Sequence, residues 1–203
     1  MYALVVNNSV TRVFPGPTGF EHNGNQYAPD IFYKWSKAEK EAIGLYEVTT
    51  DSTNYKNKEW YNNTNESFTF SSGKVTRSWG TATAKDYADK DAVDEEGNKI
   101  KDDNGNQIII EGLKTKLIRT IKQQAAGILQ DTDWYIIRKA DAGTAVPSSI
   151  TTHRAAVRTK CAEMETAITN AANTPALETL YTYTKQEDGS VTRPLGELPI
   201  LES

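Results

Sequence analysis

The residues able to do chemistry in this 203-residue chain are few and poorly grouped. Cys161 is the only cysteine, and His22 and His153 are the only histidines. A structural zinc ion takes four ligands, mainly from these two residue types, so the chain has too few for one, and a lone thiol closes no internal disulfide. Cys161 and His153 stand eight positions apart. On a helix that spacing is about 12 Å along the axis, too long for proton transfer. Asp102, Asn104 and Asn106 begin like a calcium loop. Its sixth position is Gln107 where glycine is wanted, however, and its twelfth is Leu113 where a bidentate glutamate is needed. The acidic run over 86–96 reads as a solvated face, because no pattern puts two of its carboxylates across a cleft as general acid and base. The expectation is therefore a non-enzymatic chain with no catalytic residue, no cofactor and no metal ion.

Net charge is −4 and the isoelectric point about 5.3. The lysines and arginines are scattered, which removes the basic footprint that phosphate binding requires, so nucleic acid is not an expected partner. No run approaches the roughly 18 apolar residues of a membrane span, and Met1–Val6 lacks the basic start of a signal peptide. A soluble chain without a membrane partner is expected. At 37% hydrophobic and 25% charged residues, its core should be modest and divided among segments.

The elements change character along the chain. Tyr2 to Val6 and Val10 to Phe14 are rich in β-branched and aromatic side chains around Asn7-Asn8, which predicts an opening hairpin. Phe20 to Tyr27, centred on Asn23-Gly24, reads as a second short hairpin or turn. Ser36 and Glu39 fit a capping box and Gly44 a left-handed stop, predicting a short helix over 37–43. Leu45, Tyr46 and Val48 form another strand, and the polar stretch 49–66, which has neither period, reads as a long loop. Phe68 to Trp79 alternate around Ser71-Ser72-Gly73-Lys74 as a third hairpin. A Gly-Asn-x-Ile unit at 97–100 recurs eight residues later at 105–108, a local repeat that reads as a small β-arm.

From Leu113 the period becomes helical. Leu113, Leu117, Ile121, Ala125 and Ile128 define a helix of about 17 residues. Thr132 is placed to cap a short helix through Trp134 to Ile137 that ends at Gly143. Pro147 starts the longest helix, to about Ala171, with Ile150, Val157, Cys161, Met164 and Ile168 on one face. Thr174-Pro175 gives a cap and first-turn proline to a last short helix, and 183–203, with Asp188-Gly189 as a turn, reads as an extended tail lying on another surface. The class is α+β: antiparallel β-hairpins with one short helix, then a helical hairpin or bundle. The segments are 1–48, 49–112, 113–182 and 183–203.

Three runs carry a resemblance: Gln123-Gln124-Ala125-Ala126-Gly127-Ile128-Leu129, Thr132-Asp133-Trp134-Tyr135-Ile136-Ile137-Arg138-Lys139-Ala140, and Val146-Pro147 with His153-Arg154-Ala155-Ala156-Val157-Arg158. Their order resembles the tail-fibre assembly and tail-fibre-associated accessory proteins of tailed bacteriophages, clearly over 113–170 and more weakly over 1–48. The resemblance implies a part in virion assembly through contacts with tail-fibre or baseplate proteins and with other copies of itself, in the host cytoplasm and on the virion tail. An alternative is a structural baseplate or fibre-adaptor subunit. The family brings no catalytic residues.

The residues singled out for contact are accordingly not catalytic. Trp134 reads as an anchor between the two long helices, with a partner contact as the alternative. Arg154 and Arg158, one helical turn apart, are placed to pin Asp133 within the chain or an acidic partner. A third reading, a host-glycan module, would use Trp60, Tyr61 and Trp79 as exposed stacking faces.

Overall fold

Asn7 and Asn8 adopt left-handed angles, with φ of 50° and 61°, and reverse the chain between β1 (Tyr2–Val6) and β2 (Ser9–Phe14). Such a turn matches the twist of the strands it joins. Asn23 and Gly24 do the same between β3 (Phe20–His22) and β4 (Asn25–Tyr27). These contacts come from a computed structural model that describes residues 1–201. The chain is α+β, and its contacts divide it into two units, Met1–Thr83 and Ala84–Ser203.

In the first unit, α1 (Ile31–Lys34) is a single turn that the sequence pattern did not reveal, and it drives Ile31 and Phe32 into the core. The capping box of α2 (Lys37–Ala42) is complete. The Ser36 hydroxyl accepts the Glu39 N–H at 3.3 Å, and the Glu39 carboxylate accepts the Ser36 N–H at 2.7 Å. Gly44 ends the turn at φ +81°. The chain then enters β5 (Leu45–Thr50), passes the two-residue strand β6 (Tyr61–Asn62), and forms the expected hairpin of β7 (Ser67–Ser71) and β8 (Lys74–Ser78). The five-stranded sheet has the order β2-β1-β5-β8-β7, parallel only between β5 and β8. Leu4, Phe14, Phe20, Ile31, Phe32 and Leu45 form its core. The rings of Phe14 and Phe20 lie 4.8 Å apart.

The parallel pairing corrects the segment boundary placed at 48. It ties 48–50 to 75–77, so a cut there would split the sheet, and the division falls instead after Thr83. A ladder between strands that distant in sequence leaves no local period to read.

The second unit begins with short strands, β9 (Thr83–Ala84, at the boundary), β10 (Lys90–Asp91) and β11 (Ile109–Ile110). Four helices follow, α3 (Leu113–Gln130), α4 (Asp133–Ala142), α5 (Ser148–Asn170) and α6 (Thr174–Tyr181). The two long ones, α3 and α5, pack together, burying Ile121 and Ala125 against a stripe that includes Val157, Cys161, Met164 and Ile168. Two expected caps are reassigned. Asn173, and not Thr174, caps α6, accepting the Ala176 N–H at 2.9 Å, while the buried Thr174 hydroxyl donates to the Lys85 carbonyl at 2.6 Å. Thr132 makes no cap bond to α4, because its hydroxyl serves another group described below.

The tail is less extended than expected. β12 (Thr184–Lys185) and β13 (Val191–Thr192) form a small hairpin, and Leu195 is buried, its N–H donating to the Leu180 carbonyl at 3.0 Å. The last two residues of the expected tail, 202–203, lie outside the described residues.

Candidate interaction surfaces

Arg154 and Arg158, paired in the sequence reading, have different fates. Arg158 is exposed, while Arg154 is 7% exposed on α5. The Arg154 guanidinium donates to the Leu129 carbonyl and the Thr132 hydroxyl, both at 2.6 Å, and pairs with Asp133 at 2.8 Å. Leu129 lies in the last turn of α3, whose carbonyls have no intrahelical partner and carry the negative end of the helix dipole. A cation there is favoured, and this one also locks the two-residue turn into α4 against α5. Arg154 is thus internal, and its role is to position α4.

What it positions is a helix turned inside out. In a ten-residue helix without a single buried side chain, Trp134, Ile136 and Ile137 are 50%, 42% and 67% exposed. Asp133, Tyr135 and Arg138 are the part-buried ones. The Arg138 guanidinium lies 4.5 Å from the Trp134 ring centre and 5.6 Å from that of Tyr135, a cation–π stack that fixes the indole. This corrects the reading of Trp134 as an anchor between the long helices. The helical period placed an apolar stripe but could not say which way it faces, and α3 and α5 already close on each other through Ile121 and Val157 without needing the indole.

The eight-residue repeat builds a second outward apolar surface. Ala92, Ile100 and Ile108 sit one repeat apart, and their backbones close a ring: Ala92 N–H to Ile108 carbonyl at 2.8 Å, Ile108 to Ile100 at 2.9 Å, Ile100 to Ala92 at 2.9 Å. Three strand segments therefore pair all three ways, which uses the edges a small β-arm would otherwise leave open. Each connecting turn is tied by an aspartate. Asp94 accepts the Asn98 N–H at 2.8 Å, and Asp102 accepts those of Asn104 at 2.9 Å and Asn106 at 2.8 Å. These hydrogen bonds hold both carboxylates below the usual aspartate range, led in each case by the asparagine four residues on. The calcium-like spacing at 102–106 is thus the hydrogen-bonding pattern of a turn. With its edges used, the arm leaves Val93, Ile100, Ile108, Ile109 and Ile110 between 40% and 52% exposed.

The aromatics of the first unit are placed otherwise than the glycan reading needs. Trp60 and Tyr61 are buried, at 2% and 6%, so neither offers a stacking face. The stretch 49–66, expected to be a long loop, is pinned by the Asn63 side chain, which bonds the N–H and carbonyl of Lys56 at 2.8 Å each. Trp79 is part-buried, with the Arg77 guanidinium 4.5 Å from its ring centre and Tyr55 at 4.6 Å.

Within the second unit, a cleft of about 670 Å³ is lined by Gln124, Asp131, Met164, Tyr183, Arg193 and Glu197 among others. Three of its polar groups already satisfy one another. The Tyr183 hydroxyl donates to Glu197 at 2.6 Å, which raises the phenol above its ordinary value, and Arg193 pairs with the same carboxylate at 2.8 Å. Cys161 is buried, and burial, aided by the Glu165 carboxylate, pushes its thiol up and away from the nucleophilic form. Among the described residues, no group of three or more His, Cys, Asp or Glu is placed to hold a metal ion, and no helix is long and apolar enough to cross a membrane. Comparison with protein-family models, with curated proteins and with solved structures returned no match to this chain.

Proposed function

We propose that this chain is a tail protein of a tailed bacteriophage, without enzymatic activity, that acts in tail-fibre assembly or attachment through protein–protein contacts. The reading starts from the resemblance over 113–170, and one observation carries it furthest: the closed β-arm with five exposed aliphatic side chains within eighteen residues, 93–110. An element whose strand edges are used and whose aliphatic side chains stay exposed is suited to dock on another protein, since exposed apolar surface on a protein marks interaction sites. What the arm offers is apolar contact area.

The test is co-expression of the tagged chain with the tail-fibre and baseplate chains of its own virus. Retention of the fibre chain supports an assembly or attachment role. Retention of baseplate chains alone, at a fixed ratio in purified particles, makes it an adaptor subunit. Retention of neither overturns the proposal.

A further inference from the structure

The cleft of about 670 Å³ in the second unit holds two polar side chains that the fold does not use. Glu197 is answered by Arg193 and by the Tyr183 hydroxyl, whereas the side chains of Asp131 and Gln124 make no hydrogen bond or ion pair with the described residues. The lining therefore carries one unmatched negative charge. Its position adds to its cost, because Asp131 is the C-cap of α3, where the helix dipole is negative and repels a carboxylate. Arg154, the cation at that helix end, is taken up by Leu129, Thr132 and Asp133. No contact within the fold accounts for a carboxylate at this place.

The walls around it suit an organic group. Gln124, Gly127, Ile128 and Asp131 follow one another at helical spacing and share one side of α3. Gly127 lies inside an 18-residue helix, where glycine is the poorest former after proline, yet a Cβ there would meet nothing within 4 Å. Packing does not demand the glycine; its missing side chain keeps the wall of the cleft open. Tyr183 is held by its hydroxyl on Glu197 and by the Arg193 guanidinium 5.2 Å from its ring centre, and it remains 52% exposed. A fixed, half-exposed ring gives methylene groups a flat surface to lie on. The volume falls within the roughly 300–1,000 Å³ of small-molecule sites.

We infer that this cleft binds an alkylammonium group, whose N–H groups donate to the Asp131 carboxylate and the Gln124 carboxamide oxygen while its methylenes lie along Gly127, Ile128 and Tyr183. An anion would face the unmatched carboxylate, and a neutral ligand would leave it unmatched. The group comes either from a free amine or from a lysine side chain of another protein. The inference concerns the purified chain and does not rest on the fibre reading.

The test follows amide chemical shifts of the full chain by NMR as hexylammonium chloride is added, with sodium chloride at equal ionic strength as reference. Saturable shifts are expected at Gly127, Asp131 and Tyr183, with hexanol binding at least tenfold more weakly and hexanoate not at all. Asp131→Asn, which removes the charge without breaking a contact, should weaken hexylammonium at least tenfold. Gly127→Leu should abolish binding by filling the cleft, and neither substitution should lower the urea midpoint. Nα-acetyl-lysine methylamide separates the two sources: tighter binding than hexylammonium assigns the site to a lysine side chain, weaker binding to a free amine. No saturation by hexylammonium, equal affinity in Asp131→Asn, binding unaltered by Gly127→Leu, or hexanoate binding as well as hexylammonium would each overturn the inference.

Discussion

Replacing Arg154 by Met keeps the aliphatic stem packed on α5 but removes the guanidinium from the α3–α4 turn. Three interactions go, with Leu129, Thr132 and Asp133. Asp133 is half exposed and returns to water, so that pair contributes little. The Leu129 carbonyl keeps two partners, since the Thr132 hydroxyl and N–H still donate to it at 3.0 and 3.1 Å. What is lost is two charge-assisted hydrogen bonds in a buried turn, partly offset because the arginine itself no longer needs desolvating. The expected cost is about 2–3 kcal/mol, which for a slope near 2 kcal/mol/M lowers the urea midpoint by roughly 1 M. Circular dichroism at 222 nm is the assay, because α3 to α6 hold most of the helix. The control is Arg158→Met one turn away, whose exposed side chain makes only a 3.4 Å contact to the Arg154 carbonyl; its cost should stay within about 0.5 kcal/mol. Equal midpoints for wild type and Arg154→Met, or a larger loss in Arg158→Met, would refute the argument that Arg154 positions α4.

Gly112→Ala should destabilise α3 although the backbone at Gly112 is ordinary, at φ −79°. A Cβ there would collide with the Ala88 backbone, so that segment must move, at a cost of about 1–3 kcal/mol measured by the same urea titration. Gly44→Ala combines a left-handed φ of +81° with a Cβ 2.6 Å from the Val5 carbonyl oxygen. It should cost the first unit about 2–4 kcal/mol, followed by near-ultraviolet dichroism of its aromatic core. Asp89, remote in sequence, ties the start of α3, accepting the Thr115 hydroxyl and the Gly112 N–H at 2.8 Å each, and these bonds, the hydroxyl first, hold its carboxyl below the usual range. A depressed folded value means the tie stabilises at neutral pH and is lost as pH falls through that value. Carbon-detected NMR titration should find the Asp89 carboxyl below the usual aspartate range, and Asp89→Asn should flatten the acid limb of the stability curve.

Much of this fold is legible locally. Asn7-Asn8 and Asn23-Gly24 announce their turns because few residues accept a positive φ, and Ser36 with Glu39 announces a helix start because both partners lie within one turn. The α5 stripe is equally readable, and Ile150, Val157, Cys161, Met164 and Ile168 are all buried. What local pattern does not carry is pairing across distance. The β5–β8 ladder, the Thr174–Lys85 bond and the Asp89 tie to α3 join residues with no shared period. Nor does periodicity give direction: the apolar side chains of α4 and of the arm look like core residues in the sequence and face outward in the fold. Trp60 and Tyr61 err the opposite way, buried inside a stretch whose polarity suggests a loop. Of the residues singled out for contact, Trp134 is presented and Arg154 internal, roles that required the structure, and the exposed aliphatic residues of the arm were not among them.

Docking of the second unit's arm on a fibre protein is the central proposal. Quantitative co-purification of the tagged chain with its virus's tail-fibre chain, comparing wild type with an Ile109→Asp, Ile110→Asp variant of unchanged circular dichroism, tests it most directly. Wild type should retain the fibre chain in a fixed ratio and the variant should lose it; no retention by wild type, or equal retention by both, would contradict the proposal.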